Sequence, residues 1–490
     1  MTRFLPPLLA LLALSPLLSA QLRLPALFGK GAVLQRDQVI PVWGWAEAGS
    51  QVQVLLGKEQ LSCKADALGR WFVRFPARKS GKDLVLVVES GRERLARSNI
   101  QIGEVWICSG QSNMEWPLTR AMNATAEIAA AKDPGLRFFR LQRRSSLAPE
   151  LDCNTKWSHC TPETAARFSG VGYFFGRELR KALGKQVPIG LIQSSWGGTT
   201  AQTWISPNGL QMEDSCKPEI ERWMQRISKD PSGQLAKDKN RPGNLYRGMI
   251  HPLIPYSMRG VIWYQGENNA SRAWEYRKVF PALIRDWRRV WALGPFQLAP
   301  RELRPFPFLF VQLANYKLRR GNPLSWAELR EAQALALSLP ATGMASAIDI
   351  GNPKDIHPKN KQEVGRRLAL IARARVYGES KLPHIGPRFA KASFAKGRVT
   401  VQLQHVVEAL RTRDGQAPSS FQVAGKDRKW YPAEAKLQGK SILLTSKQVP
   451  EPIAVRYGWD DSPHCNVSDA SGLPLTPFRS DDWPGVTWPK

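Results

Sequence analysis

From Gln21 to Ile102 apolar and polar residues alternate in short runs, "VIPVWGWA", "QVQVLLG", "RWFVRFPA" and "DLVLVVES", separated by glycine, serine and Lys-Gly turns. A period of two with frequent turns is the pattern of half-buried strands, and it predicts a small β-sandwich over residues 21–102. The period then changes. Between Val105 and Gly378 short apolar runs alternate with amphipathic segments, which predicts an α/β unit with a parallel sheet flanked by helices over residues 103–383. Its strands are expected at "EVWICS", "VPIGLIQ", "RGVIWYQ", "FPFLFVQLA" and "GMASAIDI". Helices are expected at "YFFGRELRKAL", "SWAELREAQALALSL" and "KQEVGRRLALIARARVY". Tyr276, Phe280, Leu283, Trp287 and Val290 recur at helical spacing and add a fourth, although Pro281 within it favours a kink. Residues 208–245 read as an irregular insertion, either a lid or plain surface. Past residue 383 the short β-runs "GRVTVQLQ", "SFQVAG", "SILLTS" and "IAVRYGW" predict a C-terminal β-rich domain over 384–490, with a Pro- and Trp-rich tail lying across another surface.

In an open parallel sheet the loops at the carboxyl ends of the strands converge on one rim, where ligands bind. Ser112, in "CSGQSNMEW", follows the first of these strands and is the candidate nucleophile. "SSWGGTT" follows the second, and Gly197 and Gly198 can bring backbone N–H groups close to a substrate oxygen. "QGENN" follows the third, with Gln265 as an amide donor and Glu267 as a carboxylate; "GNPKDIHPKNK" follows the fifth, with Asp355 and His357. Of six histidines only His357 falls on the expected rim, where an imidazole can take the serine proton and return it to a leaving alcohol. The oxyanion hole is accordingly expected from the N–H of Ser112, a glycine N–H from Gly197 or Gly198, and Gln265. Gln111 and Asn113 are expected to fix the loop around the serine.

The blocks "GEVWICSGQSNMEWPL", "GLIQSSWGGTTAQTWIS", "GVIWYQGENNA", "DIGNPKDIHPKNKQEVGRRLAL" and "VRYGWDDSPHCNV" together resemble the sialate O-acetylesterase family, a branch of the SGNH (GDSL-like) serine hydrolases. The likeness runs from about residue 32 to about residue 484. It implies a serine esterase that removes O-acetyl groups from sugars, with a flavodoxin-like catalytic fold and no metal or other cofactor. Ser112 then matches the nucleophile and His357 the base. The acid that orients His357 is either Asp355 or Glu267. In the wider group the aspartate stands three residues before the histidine, a place held here by Lys354, and a spacing of two returns a side chain to the same side only along extended backbone.

Composition adds limits. The formal charge is +29, with Lys and Arg spread along the chain and no basic block or nucleic-acid motif, so a solvated basic surface is expected rather than a nucleic-acid or envelope binder. The six cysteines show no repeated CxxC pair that would suggest zinc; Cys153 and Cys160 either bridge a loop or stay free. Residues 1–20, with Arg3, an apolar stretch and Leu18-Ser19-Ala20, read as a secretory signal, which implies a secreted or periplasmic protein; no later segment reads as a transmembrane span. The expected partner is an O-acetylated sugar or glycan. Sialic acid, acetylxylan or another polysaccharide, and a non-catalytic glycan-binding role remain the alternatives, and the sequence leaves self-association open.

Overall fold

The computed structural model describes residues 21–294, 305–318 and 321–489. The signal-like stretch 1–20 lies outside them. Six strands form the parallel part of the central sheet: β1 (Glu93–Gly110), β2 (Asp133–Arg140), β3 (Ile189–Ser195), β4 (Gly260–Tyr264), β5 (Phe308–Gln312) and β6 (Thr342–Ser346). Their order is β6-β5-β4-β1-β3-β2, every neighbouring pair is parallel, and a short strand at Trp157–Cys160 closes the β2 edge antiparallel. Without β2, this is the flavodoxin-like order 2-1-3-4-5, in which the connections change direction beside the first strand. The strand β2, "DPGLRFFR", is one that periodicity does not mark.

Five helices matter to the site: α1 (Ser112–Glu115), α2 (Gly170–Leu183), α3 (Ala273–Leu293), α4 (Ser325–Leu335) and α5 (Lys361–Arg375). The helix α3 runs its full length through Pro281. An interior proline costs about 3 kcal/mol. Tyr276, Phe280, Leu283 and Trp287 are fully buried on the sheet, and at about 1.5–3 kcal/mol each they outweigh that cost. The 208–245 segment is more ordered than expected, with a helix at Lys217–Ser228, and its far end meets the rim. There Lys239 Nζ donates to the Gly197 carbonyl at 2.6 Å, and Asn240 Oδ1 accepts from Thr200 N–H at 3.0 Å.

The expected border at residue 102 falls inside β1. This eighteen-residue strand pairs through its first half with the N-terminal strands Gly81–Ser90 and Val33–Gln35, and through its second half with β3 and β4. Glu104 sits at the crossing, fully buried. It accepts from Arg36 Nε at 2.6 Å and Arg259 Nε at 2.7 Å, so one carboxylate neutralises a cation from each side. The C-terminal part has its own core of residues such as Val401, Phe421, Ile442 and Tyr457, which Ile348 joins from beyond β6. Its tail returns across α3 and α4: Trp488 packs on Trp274 with centroids 3.9 Å apart, and Glu328 accepts from Thr487 N–H at 3.1 Å. Cys153 and Cys160 are both free thiols. Among the described residues, no helix is long and apolar enough to cross a membrane.

Removing Glu104 leaves the partly buried guanidinium groups of Arg36 and Arg259 only the more distant carboxylate of Asp37, at 3.7 and 3.9 Å. Glu104→Ala is expected to cost about 3 kcal/mol, measured as a fall in the denaturant midpoint at unchanged m-value.

Candidate active site

Ser112 owes its place to the end of β1. Gly110 has φ +130°, and a Cβ there would stand 2.2 Å from the Tyr264 carbonyl oxygen, so only glycine lets β1 finish this close to β4. Gln111 N–H then donates to that same carbonyl at 2.9 Å, and the Gln111 carbonyl accepts from the N–H groups of Met114 and Glu115, each at 2.9 Å. The Gln111 side-chain oxygen faces Gly266 N–H at 3.4 Å and Asn268 N–H at 3.3 Å. Ser112 is thus the first residue of α1, and its N–H has no acceptor within the helix.

His357 stands across a cavity of about 590 Å³ that Ser112, Glu115, Trp116, Arg120 and Gly197 also line. The Trp116 ring stacks on the imidazole, with centroids 4.4 Å apart and planes 17° apart. Asp355 Oδ1 accepts from the backbone N–H of His357 at 2.9 Å and lies 3.4 Å from Nδ1 of the ring. A carboxylate bound to the N–H two residues on is an Asx turn. This explains how a spacing of two works here: the backbone bends instead of staying extended, and the bend folds the carboxylate against the ring. Among the described residues no hydrogen bond joins Ser112 Oγ to the imidazole.

Glu267 lies elsewhere. Its Oε1 accepts from Asn113 Nδ2 at 2.5 Å, and among the described residues its Oε2 is buried without a partner and no hydrogen bond or ion pair joins it to His357. The structure therefore sets Asp355, not Glu267, beside the imidazole. Gln265 also departs from expectation. It is fully buried, donates through Nε2 to Thr199 O at 3.1 Å and Asn269 Oδ1 at 2.7 Å, and accepts from the Tyr276 hydroxyl at 2.9 Å. Both amide hydrogens are committed under the rim, so Gln265 offers no donor to the cavity. Gly197 reaches the cavity, but its N–H donates to Glu115 Oε2 at 2.8 Å, while Glu115 Oε1 takes Arg143 Nε at 2.6 Å. Gly198 has φ +69° and, among the described residues, makes no hydrogen bond through its N–H.

Several site residues carried no sequence signal. Arg120, Arg140, Arg143 and Arg167 all line the cavity. Arg143 is paired with Glu115, whereas Arg120, Arg140 and Arg167 have no ion pair among the described residues. Lys361, in the first turn of α5, is fully buried, and its Nζ donates to Asn113 Oδ1. Of the aromatic residues near the motifs, Trp106, Trp204, Trp263 and Tyr264 are core, and Trp116 alone lines the cavity.

The electrostatics follow from burial and this excess of cations. Burial, then the Lys361 ammonium, lowers the His357 pKa below the ordinary 6.5, with Asp355 opposing and Arg120 adding to the fall. Burial likewise brings Lys361 down to about 7 against the pull of Glu267 and Asp355, and pushes Glu267 up against its bond from Asn113.

The carbohydrate esterase family described as sialic acid-specific acetylesterase matches residues 102–373. Sialate O-acetylesterase from Rattus norvegicus is 31% identical over 90% of this chain and 90% of its own, and that from Mus musculus 30% identical over 89% and 90%. The crystal structure of a carbohydrate acetylesterase from Xanthomonas citri is 40% identical, with a TM-score of 0.84, over 94% of this chain and 100% of its own. Fold and likeness together define an esterase, a carbohydrate O-acetylesterase. Within that class, the chain belongs to the sialic acid-specific acetylesterase family.

A histidine with a lowered pKa stays neutral further into acid. NMR titration of His357 is expected to give a midpoint below 6.5, with Asp355→Asn lowering it further because the stabilising carboxylate is lost.

Proposed function

We propose that Ser112 Oγ attacks the acetyl carbonyl and that His357 takes its proton, forming an acetyl-enzyme that water then hydrolyses. The proton passes from His357 to the leaving sugar hydroxyl; a second proton, taken from water, returns to Ser112 as acetate leaves. Asp355 and the stacked Trp116 hold the imidazole. The Ser112 N–H, and that of Gly198, are the donors proposed for the oxyanion; the N–H of Gly197 would serve only if Glu115 released it. What carries this reading is that Ser112 and His357 line one cavity, with the imidazole held on its Nδ1 side by a carboxylate. A catalytic hydrogen bond that is absent without substrate commonly closes around it.

The sugar is proposed to be anionic, a sialic acid being the example that the relatives' names supply. Three arginines that have no carboxylate partner among the described residues line the cavity, and a substrate carboxylate would neutralise them through charge-assisted bonds. A neutral acetylated polysaccharide such as acetylxylan offers nothing for those charges. Export is proposed on the leader-like residues 1–20 alone, and amino-terminal sequencing of the mature protein is expected to begin near residue 21.

Ser112→Ala is expected to cut hydrolysis of an aryl acetate by at least ~10⁴-fold with the fold intact by circular dichroism. Activity retained by that variant would refute the nucleophile. Arg120→Ala and Arg167→Ala are each expected to raise KM for O-acetyl sialic acid about 10-fold, the worth of one charged hydrogen bond, and to leave KM for acetylated xylo-oligosaccharide unchanged. Equal effects on both sugars would remove the case for an anionic substrate.

A further inference from the structure

The side chain of Asn113 bonds to three separate parts of the rim. Its Oδ1 accepts from Lys361 Nζ on α5, and its Nδ2 donates to Glu267 Oε1 beyond β4 at 2.5 Å and to the Ile356 carbonyl at 3.0 Å. Asn113 directly follows Ser112, and Ile356 directly precedes His357. The amide therefore spans from the neighbour of one reacting group to the neighbour of the other. No other side-chain hydrogen bond among the described residues joins α1 to the loop carrying His357.

Burial makes this link specific. Asn113 is 1% exposed, Lys361 is fully buried and Glu267 is 9% exposed. A carboxamide has one accepting and one donating end and could otherwise sit either way round. Here a cation faces the oxygen and a carboxylate faces the nitrogen, so the flipped amide would set like against like. An ammonium alone in such a place would be costly. Lys361 is supported by the rings of Tyr264 and Trp116, at 5.3 and 5.9 Å from their centroids, and by the opposite charge of Glu267 beyond the amide. The same Trp116 ring stacks on His357, so Lys361 meets both halves of the site.

We propose that Asn113, clamped between Lys361 and Glu267, is a positioning residue that sets the distance from Ser112 to His357. It touches neither substrate nor the reacting atoms; it fixes α1 against the histidine loop so that the hydroxyl and the imidazole can meet across the cavity. This rests on Ser112 and His357 being nucleophile and base, as proposed above.

The test uses the whole chain, p-nitrophenyl acetate and a fluorophosphonate probe. Asn113→Leu removes all three bonds at similar size. Its kcat is expected to fall about 100-fold, the cost of roughly 1 Å of misplacement, with KM little changed and probe labelling slowed in parallel. Lys361→Met exchanges the ammonium for an apolar chain of similar length and keeps the protein readable if Asn113→Leu does not fold. It is expected to lower kcat and to move the acid limb of kcat/KM to higher pH, because losing the cation beside His357 makes the imidazole easier to protonate. A folded Asn113→Leu with wild-type kcat and labelling rate overturns the proposal. So does a Lys361→Met enzyme with unaltered kcat and acid limb. Wild-type protein that neither hydrolyses the ester nor labels at Ser112 would sink the nucleophile assignment instead, whereas an active wild type beside an equally active Asn113→Leu sinks the clamp alone.

Discussion

The approach of Gly110 to the carbonyl of Tyr264 fixes the level at which the central strands stop. Gly110 is in register with Ser195 on β3 and Tyr264 on β4, so three strands end together. The next backbone bonds tie the ends crosswise: Gln111 N–H to the Tyr264 carbonyl at 2.9 Å, and Trp196 N–H to the Gly110 carbonyl at 3.1 Å. The loop leaving each strand is then forced onto one rim, with Ser112 after β1, Gly197 and Gly198 after β3, and Glu267 after β4. A side chain at position 110 would push β1 and β4 apart and spoil that alignment at its source.

On this frame the site is built from an imbalance of charge. Cations outnumber carboxylates around the cavity, and each nearby acid is already engaged: Glu115 by Arg143 and Gly197, Asp355 by His357, Glu267 by Asn113. Positive charge beside an imidazole favours its neutral form, the one that can accept a proton. The same surplus is the source of the attraction proposed above for an anionic sugar, so one feature would serve both binding and basicity. A chain with a formal charge of +29 extends that attraction beyond the cavity mouth.

The sheet, its five core strands and the strand-end positions of Ser112 and His357 are legible in the sequence because periodicity reports burial directly and because strand ends converge by topology. The strand β2 escapes that reading because "DPGLRFFR" opens on Asp-Pro-Gly and then mixes Leu136, Phe138 and Phe139 with Arg137 and Arg140 without regular alternation. Gln265 follows β4 and so reads as a rim residue, yet its side chain turns under the sheet, where Tyr276, Thr199 and Asn269 satisfy it. Asp355 looks badly spaced only along extended backbone; the Asx turn that brings it to His357 depends on local dihedrals that no spacing rule reports. Lys361 sits in "KNK", which reads as a solvated run. Only three-dimensional packing buries that one lysine four residues past His357, and the four arginines come from segments that meet only once the chain has folded.

The unbroken run of β1 also governs how this protein can be divided. Because one strand hydrogen-bonds to the amino-terminal layer along its first half and to the catalytic sheet along its second, there is no hinge between those layers and no loop at which to cut them apart. A recombinant fragment begun at the family's matched border would start in mid-strand, shorn of the Arg36 counter-charge to Glu104 and of the partners that keep the edge of that strand from pairing with a stranger. An engineer who wants the esterase must therefore take the amino-terminal strands with it.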